Sequence, residues 1–250
     1  MTPSDFICSN CGKSLSPDRM TKITLTGETL TFCSNQCYNA WTNKSANRCF
    51  ACGKVVLGTH QLIHYGDGRA SCLECFQTAV TTPEQLMDSY RKVKTFFFSR
   101  YRYTPPCGVQ PELYDRFVFK TNFQLLSDDI RGVYGRTTYS DYTHCSIGVL
   151  RGLPRNKFDQ VLAHELAHDM MSHKWKFFDD RIIAEGFAEY MAYQFNIFAG
   201  EKALNEELLL PPLNDDPKDP DPYYNGLVKY LAIDEKGGYS AIEKFIERNM

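Results

Sequence analysis

Strong net charge is missing from this chain: 28 basic side chains against 30 acidic ones leave a formal charge of −2. That balance gives no long-range attraction to nucleic acid or to an anionic membrane surface, so nucleic acid is not expected as a partner. Long apolar runs are missing too. None approaches the roughly 18 residues that span a bilayer, and Met1-Thr2-Pro3-Ser4-Asp5 lacks the basic start and apolar run of a secretory signal. No membrane association is expected, and the expected location is cytoplasmic. Ser- or Cys-based catalytic triads are not evident. Histidine is scarce, at 6 residues in 250, which makes the placement of each one informative.

Cysteine, by contrast, is plentiful. In a chain expected to be cytosolic, 10 cysteines point to metal ligation before disulfides. Cys8-x2-Cys11 is followed by Cys33-x3-Cys37, and Cys49-x2-Cys52 by Cys72-x2-Cys75. This is the pattern of two structural four-cysteine zinc sites in series. Cys8-Ser9-Asn10-Cys11-Gly12-Lys13 and Cys49-Phe50-Ala51-Cys52-Gly53-Lys54 read as knuckle-like turns, in which glycine lets the backbone curl around the metal. Interleaved pairing, or a histidine (His60 or His64) replacing a cysteine, stays open at this point, although four cysteines already complete each tetrahedron. So few apolar residues lie between the ligands that zinc has to supply the missing stability, on the order of ~10 kcal/mol per site. Such modules bind regulatory proteins or nucleic acid, and no basic binding stripe is visible. Cys107 and Cys145 stand apart and read as ordinary buried thiols.

The run His164-Glu165-Leu166-Ala167-His168 carries the chemistry. On a helix, residues four apart share a face, so two imidazoles can meet one catalytic zinc with Glu165 beside them. A catalytic zinc takes three protein donors and keeps one position open. Glu185, which opens Glu185-Gly186-Phe187-Ala188-Glu189-Tyr190, is the expected third donor, on a second helix folding back after Asp179-Asp180. Glu165 is then the general base that takes a proton from zinc-activated water and passes it to the leaving amine. Glu189, one turn after Glu185, is placed to orient a zinc histidine, with Asp169 as the alternative. Tyr224, Tyr139 and His173 are candidates for stabilising the oxyanion. Leu162, Ala163, Leu166 and Ala167 give this helix a core-facing stripe.

Elsewhere, Thr82-Pro83-Glu84-Gln85 starts a helix continued by Leu86, Tyr90, Val93 and Phe97 and ended by Tyr103-Thr104-Pro105-Pro106. Phe96-Phe97-Phe98 reads as packing. Three strands are predicted, at 116–119, 132–138 and 145–150, forming a small sheet that leads through Gly152-Leu153-Pro154 into a helix over 155–173. That order predicts that the last strand lays its edge beside the metal, where an extended peptide can add to the sheet. Residues 211–222 read as an acidic, proline-rich linker, followed by helices near 223–233 and 239–248.

These segments resemble the plant LIM-domain peptidases that regulate organ size, the DA-one-like proteins. The resemblance is carried by Cys49-x2-Cys52, by His64-Tyr65-Gly66-Asp67-Gly68-Arg69 and by Cys72-Leu73-Glu74-Cys75. It extends to Gly152-Leu153-Pro154, to the HExxH run with its later Glu185-Gly186, and to Asp221-Pro222-Tyr223-Tyr224. It implies a gluzincin-type metallopeptidase with His164, His168 and Glu185 on zinc and Glu165 in catalysis. Glu-Gly-Phe-Ala-Glu-Tyr is also similar to gluzincin aminopeptidases, whose third ligand follows after a longer gap than the sixteen residues between His168 and Glu185. In thermolysin-like enzymes a carboxylate four residues after the ligand Glu orients a zinc histidine, the role expected of Glu189. The Cys8 to Cys37 unit departs from a LIM finger and looks more like a treble clef. The stretch ahead of Cys8 offers no ubiquitin-interacting helix, so ubiquitin dependence is not expected.

The expected fold is therefore α+β, with tandem LIM-like or treble-clef four-cysteine zinc fingers ahead of a gluzincin-type peptidase domain with a small sheet and an active-site helix. The expected boundaries are 1–45 and 46–80 for the fingers, 81–110 for a linking helix and 111–250 for the peptidase. The expected activity is zinc-dependent hydrolysis of protein or peptide substrates, with one catalytic and two structural zinc ions and with the fingers binding a regulatory protein or restraining the enzyme. The alternative is a catalytically silent zinc-finger scaffold, which has no need of the base at Glu165.

Overall fold

A computed structural model describes residues 6–11, 13–16, 20–25, 28–43, 48–54, 56, 62–106, 108–123, 130–138, 143–175, 180–212 and 220–250. The fold is mixed α and β with small sheets. It divides into two units, Met1–Gln77 and Thr78–Met250. Among the described residues no helix is long and apolar enough to cross a membrane.

The first unit begins with two antiparallel pairs, β1 (Phe6–Ile7) with β2 (Ser14–Leu15) and β3 (Thr21–Leu25) with β4 (Glu28–Phe32), followed by α1 (Asn35–Asn43). Cys8, Phe32 and Trp41 form one small buried cluster, with Trp41 and Tyr38 edge-on to the Phe32 ring, and Cys49, Ala51, Val56, Leu62, Ala70 and Cys72 form another. Next come β5 (Leu62–His64), β6 (Ala70–Cys72) and α2 (Leu73–Gln77). The Asp67-Gly68-Arg69 run has a structural task there. Arg69 Nη2 lies 2.6 Å from Asp67 Oδ2, and the guanidinium covers the rings of Phe50 and Tyr65. Gly66 and Gly68 take φ of 81° and 85°, a left-handed backbone that a side chain would strain.

The cysteines fall into two groups that could each hold a metal ion, Cys8 with Cys11, Cys33 and Cys37, and Cys49 with Cys52, Cys72 and Cys75. The pairing is sequential, not interleaved. His64 is exposed on β5, and His60 lies outside the described residues. Four sulfurs at about 2.3 Å from one zinc stand about 3.8 Å apart. Cys11 and Cys33 are 3.8 Å apart, Cys52 and Cys72 4.0 Å, and Cys33 and Cys37 3.3 Å. Burial alone would raise the Cys8 thiol, but backbone N–H groups of Cys33, Cys11 and Asn10 outweigh it and bring it down to about 6. The same competition, won by N–H groups of Cys72, Cys52 and Ala51, brings Cys49 down to about 7. At Cys8 and Cys49 these N–H groups favour the thiolate, the form that binds metal, whereas burial raises the thiols of Cys52 and Cys75.

The second unit opens with α3 (Pro83–Tyr101), whose capping box is formed as predicted: Gln85 N donates to Thr82 Oγ1, and Thr82 N donates to the Gln85 side chain. Leu86, Tyr90, Val93 and Phe97 are its buried face, together with Phe96, while Phe98 is exposed. The rest of the unit is β7 (Gln110–Tyr114), α4 (Arg116–Phe123), β8 (Gly132–Thr138), β9 (Thr143–Leu150), α5 (Arg155–Lys174), α6 (Arg181–Ala199), α7 (Lys202–Leu208) and α8 (Pro222–Arg248). α3 packs on α5 inside this unit. β9 is central in the sheet, parallel to β7 and antiparallel to β8.

Two expectations change. Residues 116–119 are the start of a helix, with Phe119 N donating to the Asp115 carbonyl; Phe119 is buried and Phe117 exposed. The strand lies just before it, in Gln110–Tyr114, where Pro111 and Glu112 hide the usual composition signal; β7 is an edge strand, where proline is tolerated. The last strand, β9, is paired on both sides, so the edge running beside α5 belongs to β8. The two expected C-terminal helices are both present within α8, parted by non-helical backbone at Gly237 and Gly238, the latter with φ of 64°.

α6 and α8 cross at two glycines. A Cβ on Gly186 would lie 2.5 Å from Gly226 Cα, and one on Gly226 would lie 2.4 Å from Gly186 Cα and 2.7 Å from the Ile182 carbonyl oxygen. The obstruction is backbone, so no side chain can turn aside to relieve it. One turn further on, the Tyr230 hydroxyl donates to the Ile183 carbonyl at 3.1 Å. Glycine to alanine usually stabilises an exposed helix by up to about 1 kcal/mol, but at this crossing the sign reverses. Gly226→Ala is expected to destabilise the protein by about 3 kcal/mol, read from its denaturant midpoint; an unchanged or raised midpoint would contradict the close crossing.

Candidate metal centre

Three donors converge between α5 and α6. His164 Nε2 and His168 Nε2 are 3.1 Å apart, and each lies 3.3 Å from Glu185 Oε2. Ligands held at 2.0–2.1 Å in a tetrahedron are separated by about 3.3 Å. The triangle thus has the size that one small divalent cation requires, and these three residues could hold one. The local sequence explains how it forms. Pro154 starts α5, and Phe158, Leu162, Ala163, Leu166 and Ala167 bury its inner side. Asp180 caps α6 by accepting from Ile182 N and Ile183 N, which sets Glu185 one turn into the helix.

Glu189 Oε2 lies 3.8 Å from His164 Nδ1, is shielded from solvent and has no hydrogen-bond partner. It is an acceptor waiting for the N–H that His164 presents when its other nitrogen binds a metal. Burial alone would make His164 hard to protonate, but the Glu185 and Glu189 carboxylates reverse this and hold it well above the usual histidine range. Glu185 shows the complementary effect: burial opposes its ionisation, and contacts with His164 and His168 overcome that, keeping it well below the usual carboxylate range.

Glu165 is buried and lies against β8. Its Oε1 occupies the space in front of Gly132, where a Cβ would come within 2.5 Å. Glycine at the start of β8 therefore makes room for this carboxylate. Burial raises the carboxyl group of Glu165, with the neighbouring histidines pulling the other way. A raised carboxylate is a better proton acceptor.

The donors open into a cavity of about 340 Å³, walled on one side by Gly132, Val133 and Tyr134 of β8 and on the other by Arg181, Ala184 and Tyr223. Tyr223, in the first turn of α8, stacks on His164 with ring centroids 5.9 Å apart, and burial with the nearby Glu185 pushes its hydroxyl up to about 12. Of the tyrosines and histidine named for the oxyanion, Tyr224 faces a neighbouring cavity beside Glu189 and Glu207. His173 Nδ1 is engaged with the Asp169 carbonyl at 2.8 Å, and Tyr139 lies outside the described residues. Asp169, the alternative for orienting a zinc histidine, accepts from the Tyr103 hydroxyl instead. The residue that reaches the centre is Tyr223, which sequence reasoning passed over in favour of its neighbour. The signal was helical phase: Tyr223 lies one turn before Gly226, on the face turned to α6.

No family model, curated protein or solved structure matches this chain. The case for function rests on the site itself.

Because His164 holds its proton well above the usual histidine range, it is protonated at neutral pH in the metal-free centre. Zinc uptake at this centre near pH 7 is therefore expected to release about one proton and to weaken as pH falls. Calorimetric titration in buffers of different ionisation heat, with the cysteine sites already filled, reads this directly; uptake without proton release would contradict it.

Proposed function

We propose that this protein is a zinc-dependent endopeptidase acting on protein substrates bound in extended form. The observation that carries the reading is the triangle of His164, His168 and Glu185, 3.1–3.3 Å on its sides, with a buried carboxylate beside it in an open cavity. The donor set of two imidazoles and a carboxylate is that of catalytic zinc, and Glu189 offers an otherwise orphaned acceptor to His164. Zinc, when bound, acidifies water to near neutrality and polarises the substrate carbonyl.

The protein's own groups do the rest. Glu165 takes a proton from the attacking water and delivers it to the departing nitrogen as the C–N bond breaks, so one water is consumed and a carboxylate and an amine are left. The Tyr223 hydroxyl, protonated at neutral pH, donates to the oxyanion as it develops. The outer edge of β8 holds the substrate backbone as an added strand, a mode that ignores chain ends and so favours cleavage within a chain. The motif resemblance to LIM-domain peptidases supports the same reading. The cysteine modules then serve to bind a regulatory protein or to restrain the enzyme.

Cleavage of a denatured protein mixture tests the mechanism. Glu165→Gln is expected to lower turnover by about 10²–10⁴-fold while keeping its zinc; equal turnover in variant and parent would sink the assignment. Tyr223→Phe is expected to reduce kcat by about 10²-fold with little change in KM, and a variant with unchanged kcat would remove Tyr223 from the reaction.

A further inference from the structure

Behind the catalytic helix lies a second set of donors that the proposed reaction does not use. Asp169 and His173 sit one turn apart on a face of α5 turned about 100° from that of His164 and His168. Cys145 on β9 faces them. One ligand atom from each of the three lies within 4.8 Å of the others. Cys145 and Asp169 are buried, and His173 is mostly so.

We propose that Cys145, Asp169 and His173 form a further zinc site that ties β9 to the C-terminal half of α5. The independent observation is the state of Asp169. Its Oδ2 accepts from the Tyr103 hydroxyl at 2.6 Å, while its Oδ1 is shut off from solvent and has no hydrogen-bond partner. His173 Nδ1 is 3.3 Å from that oxygen but 2.8 Å from the Asp169 main-chain carbonyl. One ring hydrogen cannot serve both acceptors, and the shorter contact takes it. A plain buried Asp–His pair therefore leaves a carboxylate oxygen unsatisfied, a costly state in a dry interior.

A cation answers that need. Thiolate, carboxylate and imidazole together are donors that suit zinc, and two anionic ligands neutralise its charge. The surrounding hydroxyls are disposed as supports for ligands: Tyr103 on the second oxygen of Asp169, and Tyr134 donating to Cys145 Sγ at 3.5 Å.

Zinc content of the purified full-length protein, measured by elemental analysis and native mass spectrometry, tests the site. With both cysteine groups and the His164 centre filled, the parent is expected to carry about four zinc ions. Cys145→Ser and Asp169→Asn are each expected to lose one ion, and Cys145→Ser combined with His168→Ala two. Asp169→Asn keeps the shape of the side chain and an oxygen for Tyr103, so it decides the matter if Cys145→Ser does not fold. A folded variant of either kind with the parental count would overturn the proposal. The catalytic reading fails separately, if His168→Ala alone retains every zinc.

Discussion

Where α6 crosses α8, nothing larger than hydrogen fits between the two backbones, and the geometry of the centre follows from that contact. Gly186 meets Gly226 with no space for a side chain on either. Glu185 is the residue next to Gly186, so the depth of the crossing fixes how far its carboxylate reaches toward α5. Tyr223 is one turn before Gly226, so the same crossing lays its ring on His164. A donor and a candidate oxyanion partner, 38 positions apart in sequence, are set by one backbone contact. Glu185-Gly186 therefore sets a candidate ligand beside the glycine that positions it.

Electrostatics then decides what the centre holds. Three carboxylates, Glu165, Glu185 and Glu189, surround two imidazoles in a largely buried space. Without a cation, the Glu185 and Glu189 carboxylates draw a proton onto His164, while burial raises Glu165. A divalent ion would relieve the same imbalance, because it would meet three donors at once and leave the second nitrogen of His164 to Glu189. The first unit follows a related logic at a different place. Its apolar clusters are too small to hold it, and backbone N–H groups prepare Cys8 and Cys49 as thiolates. Metal held by the two cysteine groups would couple to the folding of that unit.

Much of this was legible in the sequence, and the exceptions have physical causes. The ligand spacings are local and covalent in origin: two cysteines two or three residues apart, or two histidines one helical turn apart, face one point whatever surrounds them. The helix start at Thr82 was readable because capping is also local. Placing Arg116-Phe117-Val118-Phe119 in a strand failed because aromatic and β-branched residues serve either structure. Sheet order could not be read, since the parallel pairing of β7 with β9 depends on a chain crossover and leaves no trace in either strand. Tyr223 was missed in favour of Tyr224 because adjacent helix positions differ by about 100°, and only the crossing partner tells which faces inward.

The most direct measurement is an anomalous difference map collected at the zinc edge from crystals of the purified protein. The account predicts a peak within about 2.0–2.2 Å of His164 Nε2, His168 Nε2 and Glu185 Oε2, in addition to peaks at the two cysteine groups. Peaks at the cysteines alone, from zinc-replete crystals with the two imidazoles simply hydrogen-bonded to Glu185, would contradict it.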